Sequence, residues 1–138
     1  MKIKQRILIG ALGAVGKMGL QSQLVANKVG FLIGEQVGSE LLEKGILAKE
    51  ASYPEIWQGL NEAIEIDTTA FMEEDKEKII ITIGDCHICP KKVGKYSIPA
   101  TACPVGGMFR GVCSVLGKTP KSESELTPGK ICKIVITK

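Results

Sequence analysis

The chain has 138 residues, of which 44% are hydrophobic and 24% charged, a composition typical of one folded domain and not of a disordered segment. The net charge is only +3 and aromatic residues make up 4%, which disfavours nucleic-acid binding, since such surfaces combine a dense basic stripe with stacking aromatics. The charge is segregated, however: residues 1–34 carry five bases and no acid, residues 35–87 thirteen acids and four bases, and residues 88–138 nine bases and two acids. Basic ends around an acidic middle favour complementary contacts within the chain or between subunits.

Residues 3–16 predict a helix in which glycines recur every third residue and leave a flat strip for a close neighbour: Gly10, Gly13 and Gly16. The apolar run from Ile7 resembles a signal peptide, but Lys17 interrupts it and no small-residue cleavage site follows. The run is also shorter than the ~20 residues that span a bilayer. We therefore expect residues 1–37 to form a packed or dimer-forming helical segment of a cytoplasmic homodimer without a membrane span.

Two more helices are predicted in the first half of the chain. Residues 24–44 carry apolar side chains at helical spacing: Val29, Leu32, Ile33, Val37 and Leu41. Tyr53-Pro54 begins the next helix, with proline in the first turn and Glu55 near the positive helix end. Its predicted apolar face consists of Trp57, Leu60, Ala63 and Ile64.

Strand signals follow. Residues 67–72 are a short β-prone stretch, residues 73–76 a charged turn, and residues 78–83 a β-branched run that predicts a strong strand. An irregular loop over residues 90–101, bracketed by Pro90 and Pro99, comes next.

The last third predicts one helix and a hairpin. Cys103-Pro104 begins a helix that extends to about Leu116, with apolar positions on one side: Val105, Met108, Phe109, Val112, Val115 and Leu116. After a polar hairpin region and a turn at Gly129, residues 131–136 form the last strand, in which Cys132, Ile134 and Ile136 share a face. Helices followed by an antiparallel sheet with an inserted helix give an α+β fold.

Four of the five cysteines predict a metal site: Cys86, Cys89, Cys103 and Cys132. Two thiolates three residues apart grip one ion from a tight turn, and two more from distant elements close a tetrahedral zinc site. An iron–sulfur cluster and free or redox-active thiols are the alternatives. Redox catalysis is disfavoured because Pro90 and two lysines, not a helix, follow Cys89. Disulfides are disfavoured by the odd number of cysteines in a chain without an export signal.

Several other residues could contribute to the site or serve only the fold. The lone histidine, His87, is a candidate replacement ligand or a solvent-facing loop residue. Cys113, at the margin of the last helix's apolar stripe, fits a buried small hydrophobe better than a ligand. Lys91 and Lys92 are placed to offset the −2 charge of a tetrathiolate zinc centre. Gly106-Gly107 and Gly111 invite a close neighbour, for which tight helix packing is favoured over a ligand.

The sequence contains no recognisable set of catalytic residues. With its one histidine inside the cysteine loop, the chain has no evident Ser-His-Asp set. The spacing of Gly10, Gly13 and Gly16 fits neither a P-loop nor a dinucleotide-binding fingerprint.

Residues from about 38 to 137 resemble the 4-vinyl reductase family of small-molecule-binding domains, and stand-alone archaeal members in particular. The matching features, in order, are a strand pair and three sequence patterns: Gly34-x-x-x-Gly38-x-x-x-Leu42 before the strands, then Cys103-x-x-x-Gly107-x-x-x-Gly111 and Gly129-x-x-Cys132-x-Ile134. The resemblance places the ligand-binding domain at residues 38–138 and implies the α+β fold shared with trafficking-complex subunits and haem-based gas sensors.

The resemblance also implies binding of small apolar molecules or action beside tetrapyrrole synthesis. In similar members a zinc ion closes one end of the pocket, with ligands at the positions of Cys103 and Cys132. Their other two ligands, a glutamate and a cysteine, come from the hairpin, which has no cysteine here. Cys86 and Cys89 are the candidates for the missing pair, and Glu125 is a remote one. Neither haem binding nor reductase activity is carried over.

The sequence therefore predicts a non-catalytic, zinc-stapled domain that binds an apolar ligand between the last helix and the sheet. The expected lining residues are Trp57, Phe71, Met108 and Phe109. An enzyme or accessory factor in tetrapyrrole or coenzyme metabolism is the alternative, and a structural interaction module forming a homodimer is the third class. The sequence does not identify the ligand.

Overall fold

The computed structural model describes residues 2–97, 102–125 and 131–138, without the side chains of Leu20, Ser124 and Glu125. Within these residues the chain forms four α-helices: α1 (Ile3–Gly16), α2 (Ser22–Glu43), α3 (Tyr53–Ile64) and α4 (Val105–Val115). The same residues contain four strands: β1 (Phe71–Glu74), β2 (Lys78–Ile83), β3 (Lys121–Glu125) and β4 (Cys132–Thr137). A single 3-10 turn at Gly19–Gln21 joins α1 to α2. The predicted α+β class, with a helix inserted among the strands, is confirmed. Pro99 and Gly129, where the sequence predicts a loop end and a turn, lie outside the described residues.

The strands form one antiparallel sheet in the order β1-β2-β4-β3. Side chains alternate between its two faces, and the face that contributes to the core is almost fully buried: Ile79, Ile81, Ile83, Ile134 and Ile136. In the central pair, Ile83 lies opposite Cys132. The residue that leads out of β2 into the Cys-x-x-Cys loop is therefore next to the first residue of β4.

Strand β1 begins later than the sequence predicts. The predicted stretch 67–72 is a turn in its first half, because the Asp67 carboxylate accepts hydrogen bonds from Thr69 N (2.8 Å) and Thr69 Oγ1 (2.7 Å). The strand extends instead through Glu73 and Glu74, both exposed on an edge strand, where charged side chains are common. The hairpin turn then forms at Asp75, whose side chain accepts from the N–H groups of residues 77 and 78.

Helix α2 contacts α4 backbone to backbone. A Cβ added at Gly34 would lie 2.8 Å from the Met108 carbonyl carbon and closer still to its oxygen. From the other side, a Cβ at Gly111 would lie 2.9 Å from Gly34 Cα. Gly30 faces Met108 N and Gly38 faces Val112 Cα, so the contacts advance along both helices together and the helices run parallel. Close approach of this kind is open only to glycine, and the prediction that the α4 glycines serve helix packing is confirmed at Gly107 and Gly111.

The predicted apolar face of α2 is wrong in part. Leu32 is 62% exposed, and Val29, Ile33 and Val37 are half-buried. The face that α2 buries is instead a line of small residues that ends at a leucine: Ser22, Ala26, Gly30, Gly34, Gly38 and Leu41. The backbone of α4 occupies the space that larger side chains would fill. The line is continuous across residues 37 and 38, so the predicted domain boundary falls inside one packed helix.

Helix α4 also packs on the sheet, where an added Cβ at Gly106 would meet Ser122 and Ile134. Its predicted apolar side is buried at all but one position, the half-buried Val115. Helix α3 begins as predicted, with Pro54 in the first turn. Ser52 and Glu55 form a capping box there, in which each side chain accepts from the other residue's backbone N–H.

Helix α1 packs against the rest of the chain with one face. Gln5 Nε2 donates to the Glu65 carbonyl oxygen (3.1 Å), and Lys2 Nζ lies 2.6 Å from the Glu65 carboxylate. Gly13 lies against the Tyr96 ring and Gly16 is buried, whereas Gly10 has nothing within 4 Å of an added Cβ. The predicted glycine strip is thus used inside the chain at two of its three positions.

Candidate metal centre and ligand pocket

The four predicted ligand cysteines lie at the ends of elements that meet at one edge of the core. Cys86 and Cys89 follow β2, Cys103 precedes α4 and Cys132 begins β4. All four are free thiols and half-buried, and Cys86 and Cys103 pack against the core cluster. Three segments far apart in sequence therefore bring their thiols to the same region.

The thiols interact with one another electrostatically. The pKa of Cys103 is raised to about 12, chiefly by burial and to a smaller extent by negative charge on Cys86, Cys132 and Cys89. Burial likewise raises the pKa of Cys86 to about 12, with Cys89 and Cys132 adding to the rise. Cys86 and Cys103 are therefore neutral thiols at pH 7 without a cation, whereas a metal ion would stabilise the thiolates that bind it.

The local backbone opposes part of this rise in pKa. The backbone N–H groups of Ile88 and Cys89 lower the pKa of Cys86, and that of Val105 lowers the pKa of Cys103. Each such hydrogen bond favours the charged thiolate and lowers the pKa. Hydrogen bonds to ligand sulfurs also orient metal ligands and tune metal sites. The local backbone at Cys86 and Cys103 is therefore suited to thiolate ligands.

The loop that carries Cys86 is anchored by Asp67, which is 0% exposed. Its Oδ2 accepts from Gly84 N (3.1 Å) and Asp85 N (2.9 Å), while its Oδ1 is taken up by Thr69. Burial alone would raise the pKa of Asp67, but the hydrogen bonds from Asp85, Thr69 and Gly84 outweigh it and hold the pKa below its ordinary value. The N–H of His87 donates to the Ile66 carbonyl (2.7 Å) and completes the anchor.

Cys103 is held by Gln23 on α2. The Gln23 side-chain amide donates to the Cys103 carbonyl (2.7 Å) and accepts from the Cys103 N–H (3.0 Å). This two-point contact ties Cys103, two residues before α4, to the start of α2. Neither Gln23 nor Asp67 is singled out by the sequence; the only local hint is the Asp-x-Thr pattern at Asp67, which is typical of side-chain-capped turns.

The alternative ligands have other surroundings or lie outside the described side chains. His87 turns toward solvent, with Nε2 3.3 Å from Asp85 Oδ2. Cys113 is 0% exposed in the core, as its position on α4 predicts. The Glu125 side chain is not among those described. Lys92 interacts with the Cys86 thiol: its ion pair with Asp85 (2.8 Å) raises its pKa, and charge on Cys86 adds to the rise.

Among the described residues, no three His, Cys, Asp or Glu side chains are arranged so that they could hold a metal ion. The four thiols lie within electrostatic range without forming a closed ligand set. Tetrahedral zinc needs all four sulfurs at about 2.3 Å from one centre, so binding would require the thiols to move together. Four thiol side chains are suitable ligands for zinc, but their positions do not form a tetrahedral site.

The four predicted pocket residues lie in three different surroundings within the part of the chain that the structure describes. Met108 and Phe109 are 0% exposed in the core between α4 and the sheet, where Phe109 stacks with Tyr53. Phe71 is 55% exposed on the edge strand. Trp57 lines an open cleft of about 460 Å³ along α3, together with Gln58, Asn61, Glu62, Glu65, Thr68 and Ala70.

The MJ0207 family model matches residues 13–138 of this chain. The chain is similar to the uncharacterized protein MJ0207 of Methanocaldococcus jannaschii, with 28% identity over 99% of this chain and 89% of that protein. It is also similar to the uncharacterized protein MJ1342 of the same organism, with 52% identity over 44 residues, 32% of this chain and 39% of that protein.

Proposed function

We propose that this chain, which belongs to the MJ0207 family, is a zinc-stapled small-molecule-binding domain that acts in sensing or as an accessory factor and not as a catalyst. The convergence of four thiols from three separate segments carries the proposal. Soft thiolates in a tetrahedral set favour zinc or an iron–sulfur cluster among biological metals. The ion would hold the β2–α4 loop, the start of α4 and the start of β4 together.

Four thiolate ligands would leave no open coordination position, whereas a catalytic zinc keeps one for water or substrate. We therefore propose a structural and not a catalytic role for the zinc ion. If one of the four thiols stays out of the ligand set, the alternative is an enzyme or accessory factor in tetrapyrrole or coenzyme metabolism.

A likeness to 4-vinyl reductase-type domains is part of the proposal. It is supported by the order of elements, in which the glycine line of α2, the β1–β2 pair, α4 and the β3–β4 pair follow one another as the motifs do. We do not propose a homodimer through the glycine strip of α1, because Gly13 lies against the Tyr96 ring and Gly16 is buried.

The metal is tested by elemental analysis of the untagged protein and of two variants. We expect about one zinc per chain in the unmodified protein, a loss in Cys86→Ser, and retention in the control Cys113→Ala, which removes a core thiol. Iron with visible absorbance in place of zinc would indicate a cluster. Equal zinc content in Cys86→Ser and the unmodified protein, or none in either, would refute the zinc staple.

The ligand is tested through Trp57, the single tryptophan of the chain. Its position at the cleft along α3 makes energy transfer to a hydrophobic reporter dye a direct measure of occupancy. We expect a saturable signal that a lipid extract displaces. A linear, unsaturable signal, together with no retained small molecule in native mass spectrometry, would refute ligand binding without affecting the zinc proposal.

A further inference from the structure

The large hydrophobic side chains that the structure leaves exposed are concentrated near the start of the chain. Five of the nine found among the described residues lie within residues 1–34: Ile3, Ile7, Met18, Leu24 and Leu32. Ile3 and Ile7 are the most exposed of all, at 75% and 68%. Exposed apolar side chains mark an interaction site where they are contiguous, whereas single scattered ones are normal.

On α1 the exposed apolar residues form a stripe. At about 100° per residue, Ile3, Ile7 and Ala14 fall within a narrow sector of the helix, and all three are exposed. The opposite side of the helix is buried against the body of the protein: Gln5, Ile9, Leu12, Gly13 and Gly16. The helix is therefore fixed by its inner face and presents its outer face to the surroundings.

Cations flank the stripe on both sides. By the same helical spacing, Lys4 lies on one side of it, and Arg6 and Lys17 lie on the other; all three are exposed. Residues 1–34 contain no acid. Two acids, Glu62 of α3 and Glu65 at its C-terminal end, line a cleft with Ile3 and Lys4, and Glu65 is paired with Lys2.

An apolar stripe bordered by basic side chains is the pattern of a helix that lies in the plane of a membrane surface, with its apolar side among acyl chains and its cations at the phosphates. Contact between two α1 helices would instead oppose like charges at Lys4, Arg6 and Lys17. None of the helices in the described part of the chain has the length and hydrophobicity of a transmembrane span.

We propose that the outer face of α1, defined by Ile3, Ile7, Ala14 and the flanking Lys4, Arg6 and Lys17, docks on an anionic lipid bilayer. Docking holds the folded body at the membrane surface without unfolding α1, because the buried side of the helix is not needed for the contact.

Cosedimentation of the full chain with vesicles tests the proposal. We expect binding to vesicles of phosphatidylglycerol and phosphatidylcholine, little binding to phosphatidylcholine alone, and weaker binding as salt is raised. Ile7→Asp should abolish binding. The matched control Ile46→Asp, at a position 58% exposed outside the segment, should retain it.

A second variant keeps the test informative if Ile7→Asp affects folding. Replacing Lys4, Arg6 and Lys17 with glutamine should weaken binding to anionic vesicles by about fivefold for each cation removed. The proposal is overturned if the unmodified chain does not bind anionic vesicles, or binds neutral ones equally. It is also overturned if both variants bind as the unmodified chain does, or if Ile7→Asp only dissociates a dimer seen by analytical ultracentrifugation.

Discussion

The backbone contact between α2 and α4 makes a sharp prediction for Gly34→Ala. The new Cβ would lie 2.8 Å from the Met108 carbonyl carbon and 2.9 Å from its Cα, distances that no rotamer change relieves because the partner atoms are backbone. Alanine gains ~1 kcal/mol of helix propensity over glycine, but overpacking costs ~1–3 kcal/mol. Because the new Cβ meets backbone atoms of α4, we take an overpacking cost of about 3 kcal/mol. Subtracting the gain of about 1 kcal/mol in helix propensity leaves a net loss of stability of about 2 kcal/mol.

Guanidinium chloride unfolding measures this loss. With a slope of about 4 kcal/mol per molar for a chain of this size, the midpoint should fall by about 0.5 M. Gly10→Ala is the matched control, because Gly10 is also helical but has nothing within 4 Å of an added Cβ. It should raise stability by up to ~1 kcal/mol. If Gly34→Ala is as stable as the unmodified protein, or Gly10→Ala is the more damaging of the two, the close helix contact is refuted.

Two further predictions concern Asp67 and the start of α3. The pKa of Asp67 is held below its ordinary value of 3.8, so its stabilising effect is present above that pH and is lost as pH falls through the lower folded-state pKa. Asp67→Asn should therefore reduce the free energy of unfolding by about 1–3 kcal/mol at neutral pH. In urea unfolding, the variant should also lose less stability than the unmodified protein as the pH falls below 3.8. If both proteins lose stability equally in acid, this account is contradicted. Ser52→Ala removes the hydroxyl that accepts from Glu55 N and should cost about 1 kcal/mol, whereas a variant with the same thermal midpoint would show that the cap is not needed.

Local sequence patterns were sufficient for much of the fold. The β-branched run at residues 78–83 predicted β2 with the bounds it has, and the spacing of Val105, Met108, Phe109 and Val112 predicted the buried side of α4. Pro54 after Tyr53 located the start of α3. These features depend on interactions within a few residues, so a short window of sequence contains the cause.

The ligands of the candidate metal site were predictable from the sequence, but the contacts that hold them in place were not. Residue type and spacing selected Cys86, Cys89, Cys103 and Cys132 and set Cys113 apart. The anchors of the site were not predictable, because Asp67 acts on Gly84 and Asp85, 17 and 18 residues away, and Gln23 acts on Cys103, 80 residues away. Nothing in the local sequence of Gln23 indicates such a partner.

By itself the sequence determined the α+β class, the order of the elements and the cysteines that are candidate metal ligands. Only the tertiary structure decided which face of α2 is buried. Hydrophobic spacing pointed to Leu32, but the buried line runs through Gly30, Gly34 and Gly38, because a parallel helix more than 60 residues later in the chain approaches to backbone contact. Side-chain hydrophobicity predicts burial against side chains; where one backbone packs on another, the absence of a side chain is what the contact requires.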